Sequence, residues 1–187
     1  MPLTALQWGG VGGVFVGGAS RRMGRDKGLL SAPGGGTLVG RAAELLGGYV
    51  DDVVLVGERD AYRGLSWCSL RDDPPGVGPV GGLNALLTFA AGRPALVLAC
   101  DMPFVTSMDI EVLLAASGPD GRTVVPRRDG RWEPFCAVYG GDAAARVAPL
   151  VREGERRMQR LIDALGPLTV DLPAAHLRDW DTPEDVG

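Results

Sequence analysis

Short apolar runs alternate along the chain with polar, turn-rich stretches and with segments of helical spacing. Gly13-Val14-Phe15-Val16, β-branched and aromatic, stops at Gly17-Gly18 and predicts a buried strand that ends in a loop. Asp52-Val53-Val54-Leu55-Val56 and Ala95-Leu96-Val97-Leu98-Ala99-Cys100 predict two more buried strands, the second ending abruptly at Asp101. Residues 66–70 predict a short strand ahead of a loop of Asp, Pro and Gly at 72–79. Helical spacing covers residues 37–46, 80–91, 107–116, 143–152 and 157–165, with Leu83, Leu86, Leu87 and Ala90 on one face of the second. Residues 123–125 and 168–172 read as strands, and 131–139 as a strand or hairpin arm.

Strands that are apolar nearly throughout, alternating with helices, predict an α/β fold with three layers, α/β/α, around a mostly parallel sheet covered on both faces. Residues 1–12 read as a loose lead-in, and no repeat or linker divides residues 13–187, which form a single domain. In such sheets ligands bind outside the carboxyl ends of the strands. The loops after Val16, Val56, Leu70 and Cys100 are therefore expected to share one rim.

Charge and composition narrow the chemistry on that rim. A net charge of −4 argues against nucleic acid as a partner, while local arginine clusters leave room for a small anion. Cys68, Cys100 and Cys136 are few, far apart and in apolar surroundings, so they read as buried free thiols of a reducing compartment. Neither a signal-peptide pattern nor an apolar run near the roughly 20 residues of a membrane helix is present, which predicts a cytoplasmic chain with no membrane partner. The basic residues are 18 arginines and one lysine, Lys27, and the only asparagine is Asn84. Such a skew fits a GC-rich genome, and a lysine that survives it marks a position to inspect.

Lys27 closes the first loop, Gly17-Gly18-Ala19-Ser20-Arg21-Arg22-Met23-Gly24-Arg25-Asp26-Lys27, whose paired glycines and cations suit a phosphate group. The bland alternative is a glycine turn with solvated arginines. Asp26 stands where a Walker A loop needs Gly, and no Ser or Thr follows the lysine, so it is not that motif. Gly76-Val77-Gly78-Pro79-Val80-Gly81 matches GxGxxG by letter, but Asp-Asp-Pro-Pro precedes it where a dinucleotide fold requires a strand. It reads instead as a loop leading into a helix, with Asp72 pointing into the crevice. Asp101, at the tip of the most apolar strand and fixed by Pro103, suits a divalent-cation ligand, or else a turn cap. In the C-terminal run Thr182 reads as a helix cap before Pro183, while Asp179 and Asp181 are each placed to face a metal. His176 reads as a surface histidine, and the clusters Arg127-Arg128 with Arg131 and Arg156-Arg157 read as solvated turns or as sites for a second phosphorylated ligand.

Together these loops resemble the LAGGxSxRMGxDK signature of nucleotidyltransferases, and of the molybdenum cofactor guanylyltransferases in particular. The resemblance continues through Gly78-Pro79-Val80-Gly81-Gly82-Leu83, Cys100-Asp101-Met102-Pro103-Phe104, Glu133 to Tyr139 and Gly154-Glu155-Arg156-Arg157, and ends at Asp181-Thr182-Pro183-Glu184. It implies a Rossmann-like fold of the nucleotide-diphospho-sugar transferase type. It also implies transfer of GMP from GTP to the terminal phosphate of molybdopterin or of the molybdenum cofactor, with Mg²⁺ and loss of pyrophosphate. On this resemblance Phe15, Val16, Gly17 and Gly18 lie against the nucleotide, Arg22 and Lys27 neutralise the triphosphate, and Asp72 contacts the nucleotide. Asp101 holds the metal with Asp179 or Asp181 as a second ligand, Arg156 and Arg157 take the acceptor's phosphate, and cofactor-insertion or acceptor enzymes are possible further partners. The sequence departs from the family at Phe15-Val16, where Leu-Ala is usual, and at Asp179 and Asp181, where Asn is usual. The alternatives are a nucleotidyltransferase that uses CTP or another phosphorylated acceptor, and a non-catalytic nucleotide-binding accessory protein.

Overall fold

The computed structural model describes residues 8–16, 26–58 and 60–180. In chain order its elements are β1 (Val11–Phe15), α1 (Leu38–Gly47), β2 (Asp52–Val56), β3 (Cys68–Leu70), α2 (Pro79–Ala90) and β4 (Ala95–Ala99), followed by α3 (Ser107–Ser117), β5 (Arg127–Arg128), β6 (Arg131–Trp132), β7 (Cys136–Tyr139), α4 (Ala143–Arg152) and α5 (Met158–Leu165). Five strands build the central sheet in the order β3-β2-β1-β4-β7, and β5 pairs with β6 in a separate ribbon. The first four strands of the sheet run parallel and only β7 is antiparallel, which is the mostly parallel α/β arrangement that the alternation predicts.

Every residue of β1, β4 and β7 is buried, so the centre of the sheet is covered on both faces. Consecutive residues of a strand point to opposite faces, and β1 shows what lies on each. A side chain at Gly12 would meet Leu46 of α1, and one at Gly13 would run into Leu86 of α2. The two helices thus flank β1 on opposite sides, and the glycines let them approach. β1 accordingly starts at Val11, within the stretch that the pattern assigns to the lead-in, and Trp8 packs against the core before it. A glycine-rich strand looks like a turn until its packing partners are known.

Register sets the position of the rim. Phe15 pairs with both Val56 and Ala99, and Val56 pairs with Leu70, so the carboxyl ends of β1, β2, β3 and β4 are level. The ladders continue one step further, with Val16 N–H donating to Val56 and Cys100 N–H to Phe15. The chain leaves β1 for β2 on one side and returns to β4 on the other, so the crevice of this doubly wound sheet opens beyond Phe15 and Ala99.

Several expected elements take other forms. Residues 123–125 and 168–172 supply single bridges in place of strands: Val124 pairs with Val138 and with Leu168. The 131–139 stretch splits into β6 and β7, and β6 closes a hairpin on β5 through Asp129 and Gly130, both at positive φ. Cys68 is exposed on the edge strand β3, contrary to the expected buried thiol, whereas Cys100 and Cys136 are buried and all three are free. No helix among the described residues is long and apolar enough to cross a membrane.

His176 is tied down and does not stand free at the surface. Its Nδ1 lies 3.0 Å from Oδ2 of the buried Asp109, which also accepts from the backbone and hydroxyl of Thr106 in the capping box of α3. Burial alone raises the Asp109 pKa, but the Thr106 and His176 hydrogen bonds outweigh it and hold the carboxyl below its ordinary value. Its stabilisation is therefore complete above that ordinary value, about 3.9, and is lost as pH falls through the lowered folded value. Asp109→Asn is expected to reduce stability at neutral pH and to flatten the acid limb below about pH 4, measured by urea unfolding across pH.

The first turn of α2 also depends on glycine. A Cβ at Gly81 would lie 2.5 Å from the Pro74 carbonyl oxygen, a backbone atom that cannot swing away. Gly81→Ala is expected to cost about 1–3 kcal/mol, seen as a lower urea midpoint at unchanged slope.

Candidate active site

Each parallel strand contributes at its carboxyl end. Beyond β4, the Asp101 carboxylate lies 3.6 Å from the Lys27 ammonium, and both side chains are largely buried. Lys27 begins a single 3₁₀ turn, Lys27–Leu29, held from the side of β2 and β3. Buried Tyr62 donates its hydroxyl to Asp26, and its ring edge leaves no room for a side chain at Gly28. Sequence reading missed Tyr62, because nothing near it in the chain signals a contact 36 residues away.

Asp72 follows β3 and is half-buried. Burial raises the pKa of its carboxyl. Gly82 of α2 marks the point where Asp72 and Phe15 meet: a Cβ there would lie 3.3 Å from Asp72 Oδ1 and 3.0 Å from Phe15 Cε1. The loop that carries Asp72 is clamped to α2 by Asp73 N–H donating to Gly81 and by the Asn84 amide donating 3.0 Å to the Asp73 carbonyl. Asn84 is the only asparagine in the chain, and it is buried. Like Lys27, it stands out in the composition of the chain, although only the structure shows what it holds.

Phe15 presents its ring to Phe135, with centroids 4.9 Å apart. The Phe15 carbonyl and the Val16 N–H are taken up by the extended ladders, so these residues give the crevice an apolar wall. Cys100, beside them, is no nucleophile: burial, and then the charges of Asp101 and Asp26, push its thiol up to about 12.

On the other side of Phe135 lies a cavity of about 700 Å³ between the β5–β6 hairpin and α5. Its wall is stapled in place by Gln159, whose amide accepts from Trp132 N–H and donates to Trp132 carbonyl, and by Asp163, which accepts from the Trp132 indole. Arg127 stacks on that indole at 3.9 Å. Arg131, Arg157 and Arg160 line the cavity together with Trp132, Phe135 and Met158. Glu155 restrains two of these cations at 3.0 and 3.9 Å, and hydrogen bonds from Arg157 chiefly bring its own pKa down to about 2.

The expected pair Arg156-Arg157 is split. Arg157 lines the cavity, whereas Arg156 turns away and donates to the carbonyls of Val151 and Glu155. Of the Arg127-Arg128-Arg131 cluster, readable as a solvated turn, Arg128 and Arg131 form part of the cavity wall, while Arg127 stacks on Trp132.

Asp179 also borders the cavity, and its neighbour Trp180 donates its N–H to the Asp101 carbonyl at 2.8 Å, which brings the C-terminal segment onto the rim. Lys27, Asp72, Asp101, Phe15, Val16 and Asp179 are thus gathered at one end of the sheet. Gly17, Gly18, Arg22 and Asp181 lie outside the described residues. No three His, Cys, Asp or Glu side chains cluster as a metal site among the described residues.

Comparison with known proteins places the chain in a family and agrees with its fold. The family model of the MobA-like NTP transferase domain matches residues 12–169. A protein of Methanothermobacter thermautotrophicus named probable molybdenum cofactor guanylyltransferase is 32% identical, covering 92% of this chain and 95% of its own. One of the same name from Mycobacterium tuberculosis is 41% identical over 85% of this chain and 82% of its own. Among solved structures, molybdopterin-guanine dinucleotide biosynthesis protein A of Archaeoglobus fulgidus superposes with a TM-score of 0.73 at 23% identity, covering 94% of each chain. The 2-C-methyl-D-erythritol 4-phosphate cytidylyltransferase of Thermus thermophilus follows with a TM-score of 0.69 at 19% identity and 95% coverage of both. At these identities the two structures speak for the fold.

Proposed function

The chain belongs to the MobA-like NTP transferase family and is a nucleotidyltransferase, and from that premise we propose that it transfers GMP from GTP to the terminal phosphate of molybdopterin or its molybdenum-loaded form. The observation that carries this reading is the Lys27–Asp101 pair at the crevice, with a cavity of about 700 Å³ lined by arginines and aromatic rings beside it. The names of the full-length relatives supply the nucleotide and the acceptor.

In the proposed reaction an oxygen of the acceptor's phosphate forms a bond to the α-phosphorus of GTP. The bond to the bridging oxygen breaks, and pyrophosphate leaves with that electron pair. A phosphate oxygen is already a nucleophile, so no general base is needed, and the protein's task is positioning and charge neutralisation. Lys27, with Arg22 from the glycine loop, meets the triphosphate charge. Asp72 contacts the nucleotide, and Phe15, Val16, Gly17 and Gly18 line its seat.

The donor set fits Mg²⁺, a hard cation held by one or two carboxylates while phosphates and water complete its shell; a third protein ligand is not required. Asp101 would hold it, with Asp179 or Asp181 as the second ligand, and when bound it would neutralise charge on the transferring phosphates. Arg157, with Arg131 and Arg160, would receive the acceptor's phosphate, and Trp132, Phe135 and Met158 its ring system. Arg156, turned away, is released from the role that the resemblance gives it.

Pyrophosphate release from GTP and molybdopterin in Mg²⁺ tests the reaction: Asp101→Ala is expected to lower kcat by about 100-fold or more. Undiminished turnover would remove Asp101 from the site. Calorimetry is expected to show GTP binding weakened about tenfold by Lys27→Ala and unchanged by Arg152→Ala on α4. Binding of CTP without GTP would replace guanylyl by cytidylyl transfer.

A further inference from the structure

Arg128 stands where the cavity meets the C-terminal segment. Its guanidinium has three partners in three directions. Nε lies 2.6 Å from Glu133 Oε1, Nη1 donates to the Leu177 carbonyl at 2.7 Å, and Nη2 lies 4.0 Å from Asp179 Oδ2. Leu177 is fully buried, and Trp180 is held by the Asp101 carbonyl, by the edge of Phe104 and by a small cluster with Leu38 and Ala32. Asp179 is therefore bracketed, with the carbonyl two residues before it fixed by Arg128 and the amide one residue after it fixed by Asp101.

We propose that Arg128 is a positioning residue: it fixes residues 177–180 against Asp101 and so sets where the Asp179 carboxylate stands between the crevice and the cavity. The planar fork of arginine serves three acceptors at once, which a single ammonium on a flexible stem does not. Arg128 also supplies the cation between two carboxylates, Glu133 and Asp179. Without it the half-buried Glu133 and the segment carrying Asp179 repel each other. The segment has a second anchor upstream, His176 on Asp109, so loss of Arg128 loosens residues 177–180 while the rest of the fold stays in place.

The functional half of this inference rests on the guanylyl-transfer reading, and the positional half does not. Amide hydrogen exchange on the full chain tests position directly, with Trp180 N–H as reporter and Leu96, Val97 and Leu98 of β4 as internal reference. In Arg128→Gln the Trp180 amide is expected to exchange about tenfold faster while the β4 amides stay within about twofold of the wild type. Arg128→Lys falls between, and Glu133→Gln, which leaves the Leu177 and Asp179 contacts, keeps Trp180 protected. Unchanged Trp180 exchange in Arg128→Gln, or β4 amides that speed up in step with it, overturns the proposal. In turnover with GTP and molybdopterin, Arg128→Gln is expected to raise the acceptor KM about tenfold. A released Trp180 amide with an unchanged acceptor KM overturns the functional half. Absence of any GTP turnover in the wild type sinks the guanylyl-transfer reading alone and leaves the exchange result standing.

Discussion

Two opposite charges 3.6 Å apart, Lys27 and Asp101, sit where water is largely excluded, and the rest of the rim is arranged around them. Each is costly to bury alone, and each offsets the other's loss of solvent. The carboxylate follows β4, whose last residue Ala99 ends in register with Phe15, and the ammonium comes from the 3₁₀ turn that Tyr62 holds through Asp26. That register depends on helices packed on opposite faces of a strand whose glycines admit them. On the proposed function, nucleotide and metal bind by exchanging partners: the lysine turns to phosphate and the carboxylate to the cation, with little change in the total buried charge.

A second layer of organisation surrounds that pair. Tyr62 holds Asp26, which sets the start of the turn bearing Lys27, and Asn84 holds the loop bearing Asp72. Gln159 and Asp163 hold the hairpin that walls the cavity, and Arg128 ties the hairpin to the segment that reaches Asp101. None of these side chains carries the chemistry proposed for the crevice. Their role is to keep a charge-based site from relaxing, since a catalyst that works by placing charges loses its effect when those charges can drift.

How much of this could be read in advance follows from the range of each interaction. Local spacing predicted α4 to the residue and β2 likewise, because amphipathic and apolar periodicities are properties of adjacent positions. The level rim followed from the parallel order of strands. Gly12 looked like lead-in because its justification, Leu46 of α1, lies 34 positions away. Residues 123–125 have strand composition, but Val124 finds partners on both sides for one step only. His176 and Asp109 are 67 apart, and no count of neighbours would join them. Arg156 and Arg157 look equivalent in a motif, and only the geometry of the turn before α5 sends one into the cavity and the other onto backbone carbonyls.

Composition turned out to inform through its exceptions. In a chain that spells nearly every cation as arginine, an arginine carries no message until its surroundings show what its shape does. Arg128 needs the fork, because three acceptors approach from three directions. Lys27 is the opposite case. Its position faces a carboxylate at 3.6 Å, and on the proposed function a compact charge there can move between that carboxylate and a phosphate. A rigid guanidinium bound in a bidentate fork would hold Asp101 more firmly and give it up less readily. The same bias that conceals the first residue therefore exposes the second, and both are explained by the geometry each cation must satisfy.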